Sequence, residues 1–198
     1  MFSRINQIFI LLFSFYFLFQ LYFILNTKLT FFSDDAIYAT LARLFYHGNY
    51  SYIIHPFWMP LYPIFSAITY NFIKNWELSL RLVSAISTTL MLIPLFWISK
   101  KTLSPILTII FIISLISNFL LFKVGTFPQS DALATLLLIT SFSYLYMSFF
   151  TNSGFKKNLF ILTSAFFCGL NFLTRPEGTL YFAIFLSLHL LYRIQLCN

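Results

Sequence analysis

The segment from about residue 5 to residue 26 constrains this chain most strongly, because between Ile8 and Leu25 it is almost wholly apolar and Gln20 is the one strongly polar interruption. A helix needs about 20 such residues to cross the hydrocarbon core of a bilayer. Arg4 precedes the segment, as in a signal peptide, but the apolar run is too long for one and no small-x-small cleavage site follows. We therefore expect an uncleaved membrane anchor.

Five further apolar segments have near-bilayer length, which predicts an all-α, polytopic transmembrane helical bundle forming one domain over residues 1–198. Proline and glycine in Arg175-Pro176-Glu177-Gly178 favour a tight reversal between the last two segments. The expected protein is an integral, multi-pass protein of a plasma or inner membrane. Its six spans are predicted at approximately 5–26, 79–99, 104–122, 131–150, 158–174 and 179–192.

The composition excludes several other classes of protein. With 60% hydrophobic and 9% charged residues, 28 phenylalanines and a mean hydropathy of +0.85, the chain fits neither a soluble globular domain nor a disordered segment. The net charge of +7 comes from basic residues placed singly or in pairs between apolar segments, which indicates membrane topology rather than nucleic acid as a partner. Cys168 and Cys197 lie far apart, so the cysteines predict neither a disulfide framework nor a zinc site. His47 and His55 with the pair Asp34-Asp35 match no ligand spacing, so no cofactor is expected and a divalent metal is not indicated.

One apolar segment, 56–73, is expected not to cross the membrane. Pro56, Pro60 and Pro63 interrupt its first half, and lipid does not tolerate exposed irregular backbone. We expect it to lie on the membrane surface or to dip in, as part of an extracytoplasmic loop over residues 27–78 that also contains juxtamembrane amphipathic helices.

This topology puts the amino terminus, Lys100-Lys101 and Lys156-Lys157 on the cytoplasmic side, as the positive-inside rule prefers. The count alone does not decide the orientation, because six basic residues fall on each side. All five acidic residues fall on the outer side. Such clustering predicts a shared polar cavity at the outer membrane border.

The adjacent acids Asp34 and Asp35 follow the first span and open a short helix that is expected to lie in the membrane interface. Two interpretations of this acidic pair remain, helix capping and a functional site. Asp34 is in position to cap the helix, where its carboxylate would accept backbone N–H bonds. A second acid beside it at a membrane border also favours a functional site. The helix is expected to bury Ile37, Leu41, Leu44 and Phe45 and to expose Thr40, Arg43 and His47.

Two later positions also allow both a structural and a functional interpretation. Ser130 or Asp131 is in position to cap the fourth span after Pro128, and a functional role for Asp131 requires a link to Asp34. Arg175 stands at the outer end of the fifth span beside Glu177, where an arginine either extends to headgroups or binds a phosphate.

Three stretches of the chain together resemble a known family: SDDAIYATLARLFYHGNY, HPFWMPLYPIFSAITYNFI and ELSLRLVSAISTTLMLIPLFWISKK. Their order is similar to the first extracytoplasmic loop and second span of the GT-C glycosyltransferases, in the protein mannosyltransferase and aminoarabinose transferase superfamily. There an acidic pair opens a juxtamembrane helix, a proline-rich segment follows, and Glu-x-x-x-Arg enters the second span. PQSDALATLLLITSFSYLY and GLNFLTRPEGTLYFAIF resemble later parts of the same pattern, so the resemblance covers nearly the whole chain.

The resemblance implies transfer of a sugar from a polyprenyl-phosphate donor to a hydroxyl acceptor at the outer face of the membrane, with inversion. It implies that Asp34 is the general base, Asp35 a supporting neighbour and Asp131 the second acid. Arg175 is the leading candidate to hold the donor phosphate. Weaker candidates for contact with the substrate or its phosphate are Arg81, Lys123, Arg43 and Glu177. The implied partners are the sugar donor, a lipid, glycan or protein acceptor, and the bilayer.

The chain departs from the family pattern in two ways. Trp58-Met59-Pro60 stands where the aminoarabinose branch commonly has a lysine before its proline pair. Family members also usually continue through several more spans, so a truncated product, a remnant, or half of a split enzyme completed by a second chain is expected. The competing hypothesis is a noncatalytic membrane protein, such as a lipid-binding subunit or a small transporter.

Overall fold

The computed structural model describes residues 2–28, 34–53, 55, 57–151, 153–178, 180–181, 183–184 and 187. Over these residues the fold is all-helical and contains no strand, as the sequence predicts. A 3-10 turn follows the second α-helix at Tyr50–Ile53. The α-helices are α1 (Phe2–Asn26), α2 (Asp34–Tyr46), α3 (Leu61–Ile73), α4 (Trp76–Leu90), α5 (Leu92–Thr102), α6 (Pro105–Ile116), α7 (Phe119–Thr126), α8 (Ser130–Phe149) and α9 (Gly154–Phe172).

Three helical stretches of the described chain are long and apolar enough to cross a membrane: Arg4–Asn26, Trp76–Thr102 and Ser130–Phe149. The second consists of α4 and α5. A fourth span results if α6 and α7, which meet at an angle of 55°, cross together. The described residues therefore support three to four spans, fewer than the six expected.

The differences from six spans have local causes. Asn118 interrupts the expected third span, because its Oδ1 atom accepts the N–H groups of Leu120 and Leu121 and starts α7. The expected fifth span corresponds to α9, which has 19 residues but carries Lys156-Lys157-Asn158 near its start and is not among the three. The expected sixth span, 179–192, lies largely outside the described residues.

The proline-rich segment forms a helix that is short. α3 begins directly after Pro60 and has 13 residues, a length of about 20 Å, which is well under the thickness of a bilayer core. Pro63 lies in its first turn, where a missing N–H group costs no helical hydrogen bond. Pro56 lies outside the described residues, and the position of the segment at the membrane surface stays a prediction.

α2 is amphipathic, as expected, but its buried face differs from the predicted one. Tyr38, Ala39, Leu41 and Ala42 are buried, whereas Ile37, Leu44 and Phe45 are half-buried. The reason is tertiary: Tyr38 packs edge-on against Tyr62 of α3 in a core that includes Leu80 and Leu133. Thr40, Arg43 and His47 are exposed, as predicted.

The end of α2 is a Schellman turn. Gly48 has a φ of +81°, its N–H group donates to the Phe45 carbonyl, and the N–H group of Asn49 donates to the Leu44 carbonyl at 2.9 Å. A glycine adopts this left-handed conformation without the strain of a Cβ atom. The turn therefore ends α2 at Tyr46.

Buried polar groups join α1, α4 and α7 where these helices meet. Gln20 of α1 is fully buried, and its Oε1 atom accepts the Thr88 hydroxyl of α4 at 3.1 Å. Gly125 of α7 lies against the same two side chains. The absence of a side chain at Gly125 thus allows the close approach of the three helices.

Replacement of Gly125 by alanine is expected to destabilise the fold by about 1–3 kcal/mol, because an overpacked core must shift. The new Cβ atom would collide with the Thr88 hydroxyl and lie 2.8 Å from Gln20 Oε1. The measurement is the thermal unfolding midpoint in detergent micelles. Gly169→Ala in α9 is the matched control, because its Cβ atom would meet nothing within 4 Å and alanine favours a helix. Equal effects of the two substitutions would contradict the close approach at Gly125.

Candidate functional site

Two neighbouring cavities lie on either side of the turn that contains Arg175 and Glu177. The first, here the Asp34 cavity, has a volume of about 270 Å³ and is lined by Asp34, Tyr38, Trp58, Ser130, Arg175 and Glu177, among others. The second, the Asp131 cavity, has a volume of about 250 Å³ and is lined by Asp131, Thr135, Asn171, Arg175, Glu177 and Tyr181, among others. Arg175 and Glu177 therefore belong to both.

The start of α2 is held against the start of α8. The Tyr38 hydroxyl and the Ser130 hydroxyl share a hydrogen bond of 2.8 Å, although 92 residues separate them in the sequence. Trp58 packs edge-on against the Tyr38 ring, with 5.5 Å between the ring centroids. Asp34 lies one turn before Tyr38 and is exposed in the Asp34 cavity. This docking brings Asp34 to the same end of the bundle as Asp131.

Neither Ser130 nor Asp131 caps α8. The N-cap residue is Gln129, which makes no side-chain cap bond, and both expected caps lie in the first turn. The Ser130 side chain bonds to Tyr38, and the Asp131 carboxylate forms an ion pair with Nη1 of Arg175. The prediction that Asp131 caps α8 is therefore wrong, and its side chain lines the Asp131 cavity.

Arg175 is shared between two carboxylates. Besides the pair with Asp131, its Nε and Nη2 atoms each donate to the Glu177 carboxylate at 3.2 Å in a forked arrangement. The pKa of Glu177 lies below its ordinary value, chiefly because the carboxylate accepts its own backbone N–H group, and Arg175 adds to the effect. Both side chains remain partly exposed, and exposed pairs of this kind contribute little to stability.

Asp35 is half-buried beside Asp34. Burial raises the pKa of the Asp35 carboxyl group above its ordinary value of 3.8, and the neighbouring charge of Asp34 adds to this increase. The folded protein therefore holds the Asp35 carboxylate in a position that disfavours its negative charge. This lowers the folding stability once the pH exceeds the ordinary pKa of 3.8.

The Asp35→Asn substitution is expected to stabilise the fold at neutral pH. A raised folded pKa means that the folded chain binds this proton more tightly, so stability falls as the pH rises from 3.8 through the raised value. Unfolding midpoints in detergent, measured across that range, should show a gain for the variant at neutral pH that vanishes at the acidic end. A gain of the same size at every pH would contradict the assigned cause.

The other predicted phosphate contacts do not reach these cavities. Arg81 is fully buried and donates hydrogen bonds to the carbonyl groups of Thr126, Ile24 and Thr27, to the Thr27 hydroxyl and to Glu77. Its guanidinium group joins helices instead of facing a ligand, so its expected phosphate contact has no support. Lys123 and Arg43 are exposed and lie over the rings of Phe127 and Trp76, each at 5.8 Å.

Sequence reasoning missed Asn171 of α9. Its side chain is 1% exposed, its Nδ2 atom donates to the Ala134 carbonyl at 2.6 Å, and its Oδ1 atom has no partner among the described residues. A polar residue inside an apolar span is itself a functional signal, which makes Asn171 detectable in the sequence. Its bond fastens α9 to α8 at the wall of the Asp131 cavity, which Asp131 and Arg175 also line.

The sequence also did not indicate that His55 fixes a turn of the backbone. Its Nδ1 atom accepts the backbone N–H groups of Phe57 and Trp58 at 3.1 and 3.2 Å, which fixes the turn that leads into the Asp34 cavity. Among the described residues, no three histidine, cysteine, aspartate or glutamate side chains come together as a metal site. His55 is thus part of the frame that positions Trp58.

The described fold defines an all-helical membrane protein with three to four candidate spans. No family model, curated protein or solved structure matches the chain. The two cavities and the side chains that line them are therefore the features that bear on its function.

Proposed function

We propose that this protein is a membrane glycosyltransferase that moves a sugar from a polyprenyl-phosphate donor to a hydroxyl acceptor at the extracytoplasmic face. The observation that carries the proposal is the shared turn: Arg175 and Glu177 line both the cavity of Asp34 and the cavity of Asp131. Acids from distant segments are thereby gathered around one arginine. Transfer from a lipid phosphate would use one carboxylate as the general base and a cation to stabilise the charge of the leaving phosphate.

In the proposed reaction Asp34 takes the proton of the acceptor hydroxyl group. The acceptor hydroxyl loses its proton to the Asp34 carboxylate while its oxygen forms a bond to the anomeric carbon of the sugar. The bond between that carbon and the phosphate oxygen breaks, and its electron pair leaves with the polyprenyl phosphate. Attack from the face opposite the leaving group inverts the anomeric carbon. The exposure of Asp34 within its cavity suits this role, because the acceptor must approach to hydrogen-bond distance.

Arg175 is the proposed partner of the donor phosphate. The Nε and Nη2 atoms of Arg175 donate to the Glu177 carboxylate in this structure, and two oxygens of a phosphate would accept from the same two atoms. Since the Arg175–Glu177 pair is exposed, its exchange for a phosphate costs little. Asp131 would keep Arg175 in place during the exchange. In this scheme Asp131 is a positioning residue and Glu177 is released when the donor binds.

Tyr38 and Trp58 are proposed to bound the space for the sugar. Their rings form one wall of the Asp34 cavity, and a volume of about 270 Å³ is below the roughly 300–1,000 Å³ of sites for drug-sized ligands. The cavity is therefore suited to one sugar ring with the acceptor hydroxyl beside it. The polyprenyl chain would remain in the bilayer.

Label transfer in membranes tests the proposed function. Membranes containing the chain are incubated with radiolabelled polyprenyl-phosphate sugars, and matched membranes without the chain provide the background. Transfer of label to a lipid, glycan or protein acceptor above that background is expected. Absence of transfer for every donor tried would overturn the proposal in favour of a noncatalytic membrane protein.

A further inference from the structure

We propose that an anionic phospholipid binds at the opposite end of the bundle, in a groove between α5 and α8, independently of the proposed transferase function. The Trp97 groove has a volume of about 410 Å³ and is lined by Ile93, Phe96, Trp97, Lys100, Thr140 and Tyr144, together with Pro94 and Ser143. The groove lies near the end of the second candidate span, whereas Glu77 lies at the beginning of that span.

The interior of the groove offers no unbonded side-chain hydroxyl group of Thr140 or Ser143 to a ligand. The hydroxyl groups of Thr140 and Ser143 donate to the carbonyl groups of Leu136 and Ile139, at 2.7 and 2.6 Å, and so are used within α8 itself. Trp97 and Tyr144 meet edge-on across the groove, with 5.7 Å between their centroids. These surfaces suit a hydrocarbon chain better than a polar ligand.

The mouth of the groove is basic. Lys100 and Lys101 occupy the last turn of α5, and their Nζ atoms lie 5.3 Å from the Phe96 ring and 6.0 Å from the Trp97 ring. Lys100 also donates to Asn6 Oδ1 of α1 at 2.9 Å, which holds its charge at this border. None of the five acidic residues of the sequence belongs to α1, α5 or α6. Two positive charges above an apolar groove are complementary to a phosphate with an attached acyl chain.

The size of the groove favours an acyl chain over a helix. Ile93 and Lys100 are seven residues apart, so the groove extends about 10 Å along α5. A helix about 10–12 Å wide over that length would require roughly twice the volume observed. An acyl chain is narrower, and its phosphate would reach Lys100 and Lys101 when the chain lies along Trp97.

Fluorescence quenching tests this site in the full chain. Trp58→Phe and Trp76→Phe together leave Trp97 as the sole tryptophan. The protein is placed in phosphatidylcholine vesicles with increasing fractions of phosphatidylglycerol that carries bromine in the upper acyl chain, and brominated phosphatidylcholine is the parallel probe. Brominated phosphatidylglycerol is expected to quench Trp97 at a lower mole fraction. The preference should fall about fivefold for each lysine replaced in Lys100→Gln and Lys101→Gln.

Matched variants separate the groove from a general attraction to anionic surfaces. The Lys156→Gln/Lys157→Gln variant removes two charges from the start of α9 and should keep the preference, as should Lys100→Arg/Lys101→Arg. Equal quenching by both brominated lipids in the parent would overturn the proposal. The same loss in the Lys156/Lys157 variant would also overturn it, since the preference would then arise from net charge. Absence of quenching by either lipid would likewise overturn the proposal, since no acyl chain would then reach Trp97.

Discussion

The Arg81→Met variant is expected to lose about 3–5 kcal/mol of folding stability, the range for removal of one partner of a buried ion pair. The guanidinium group is fully buried and donates to backbone carbonyl groups of α1, of α7 and of the residue that follows α1. Methionine fills a similar volume but leaves those acceptors and the Glu77 carboxylate without their donor. The thermal unfolding midpoint in detergent micelles, with helical content followed by circular dichroism, measures the loss.

Two further substitutions control for charge and for surface position. Arg81→Lys keeps the positive charge but lacks the forked donors, so an intermediate loss is expected. Arg43→Ala removes an exposed arginine that lies over the Trp76 ring, an interaction that contributes about 0.5–1 kcal/mol at an exposed site. If Arg81→Met unfolds at the same temperature as Arg43→Ala, the hydrogen bonds of Arg81 do not hold the helices together.

The Asp34→Asn variant is expected to lower the rate of sugar transfer by about 10²–10⁴-fold, the usual contribution of a general base. Asparagine keeps the size and hydrogen-bonding shape of the side chain but cannot take the acceptor proton at neutral pH. Asp34 is exposed, so folding stability should change little. The loss should therefore appear in the rate of transfer while the unfolding midpoint stays close to that of the parent.

Much of the helical framework could be predicted from the sequence, because its signals are local. Hydrophobic length indicates the spans at α1, α4–α5 and α8, and proline marks the start of α3. The break before α7 also has a local signal, since Asn118 precedes an apolar run as an N-cap residue would. That signal was outweighed by the continuous hydrophobicity of residues 104–122.

The site itself could be predicted only in part, because its contacts join distant segments. The acids Asp34 and Asp131 stand out in an apolar chain, yet neither spacing nor composition indicates that Arg175 would pair with Asp131. The bond between Tyr38 and Ser130 has no local signal either. The i, i+4 spacing of Glu77 and Arg81 predicts their pair, whereas the carbonyl groups that bury Arg81 come from other helices.

These contacts explain why we assign different roles to Arg81 and Arg175. Arg81 is surrounded by protein acceptors, so its charge stabilises the bundle. Arg175 is held by two carboxylates in an open turn, where one of them is free to give way to a ligand. The proposal for Arg175 therefore follows from its exposure and from its place between the two cavities.

The most direct test of the account compares sugar transfer by the parent, Asp34→Asn and Thr40→Ala in membranes with equal amounts of each protein. Thr40 is an exposed α2 residue whose hydroxyl donates to the Ala36 carbonyl at 2.8 Å, so its replacement controls for changes to the helix. We expect label transfer to fall by at least about 100-fold in Asp34→Asn and to be retained in Thr40→Ala. Equal transfer by the parent and Asp34→Asn would contradict the role of Asp34 as the general base.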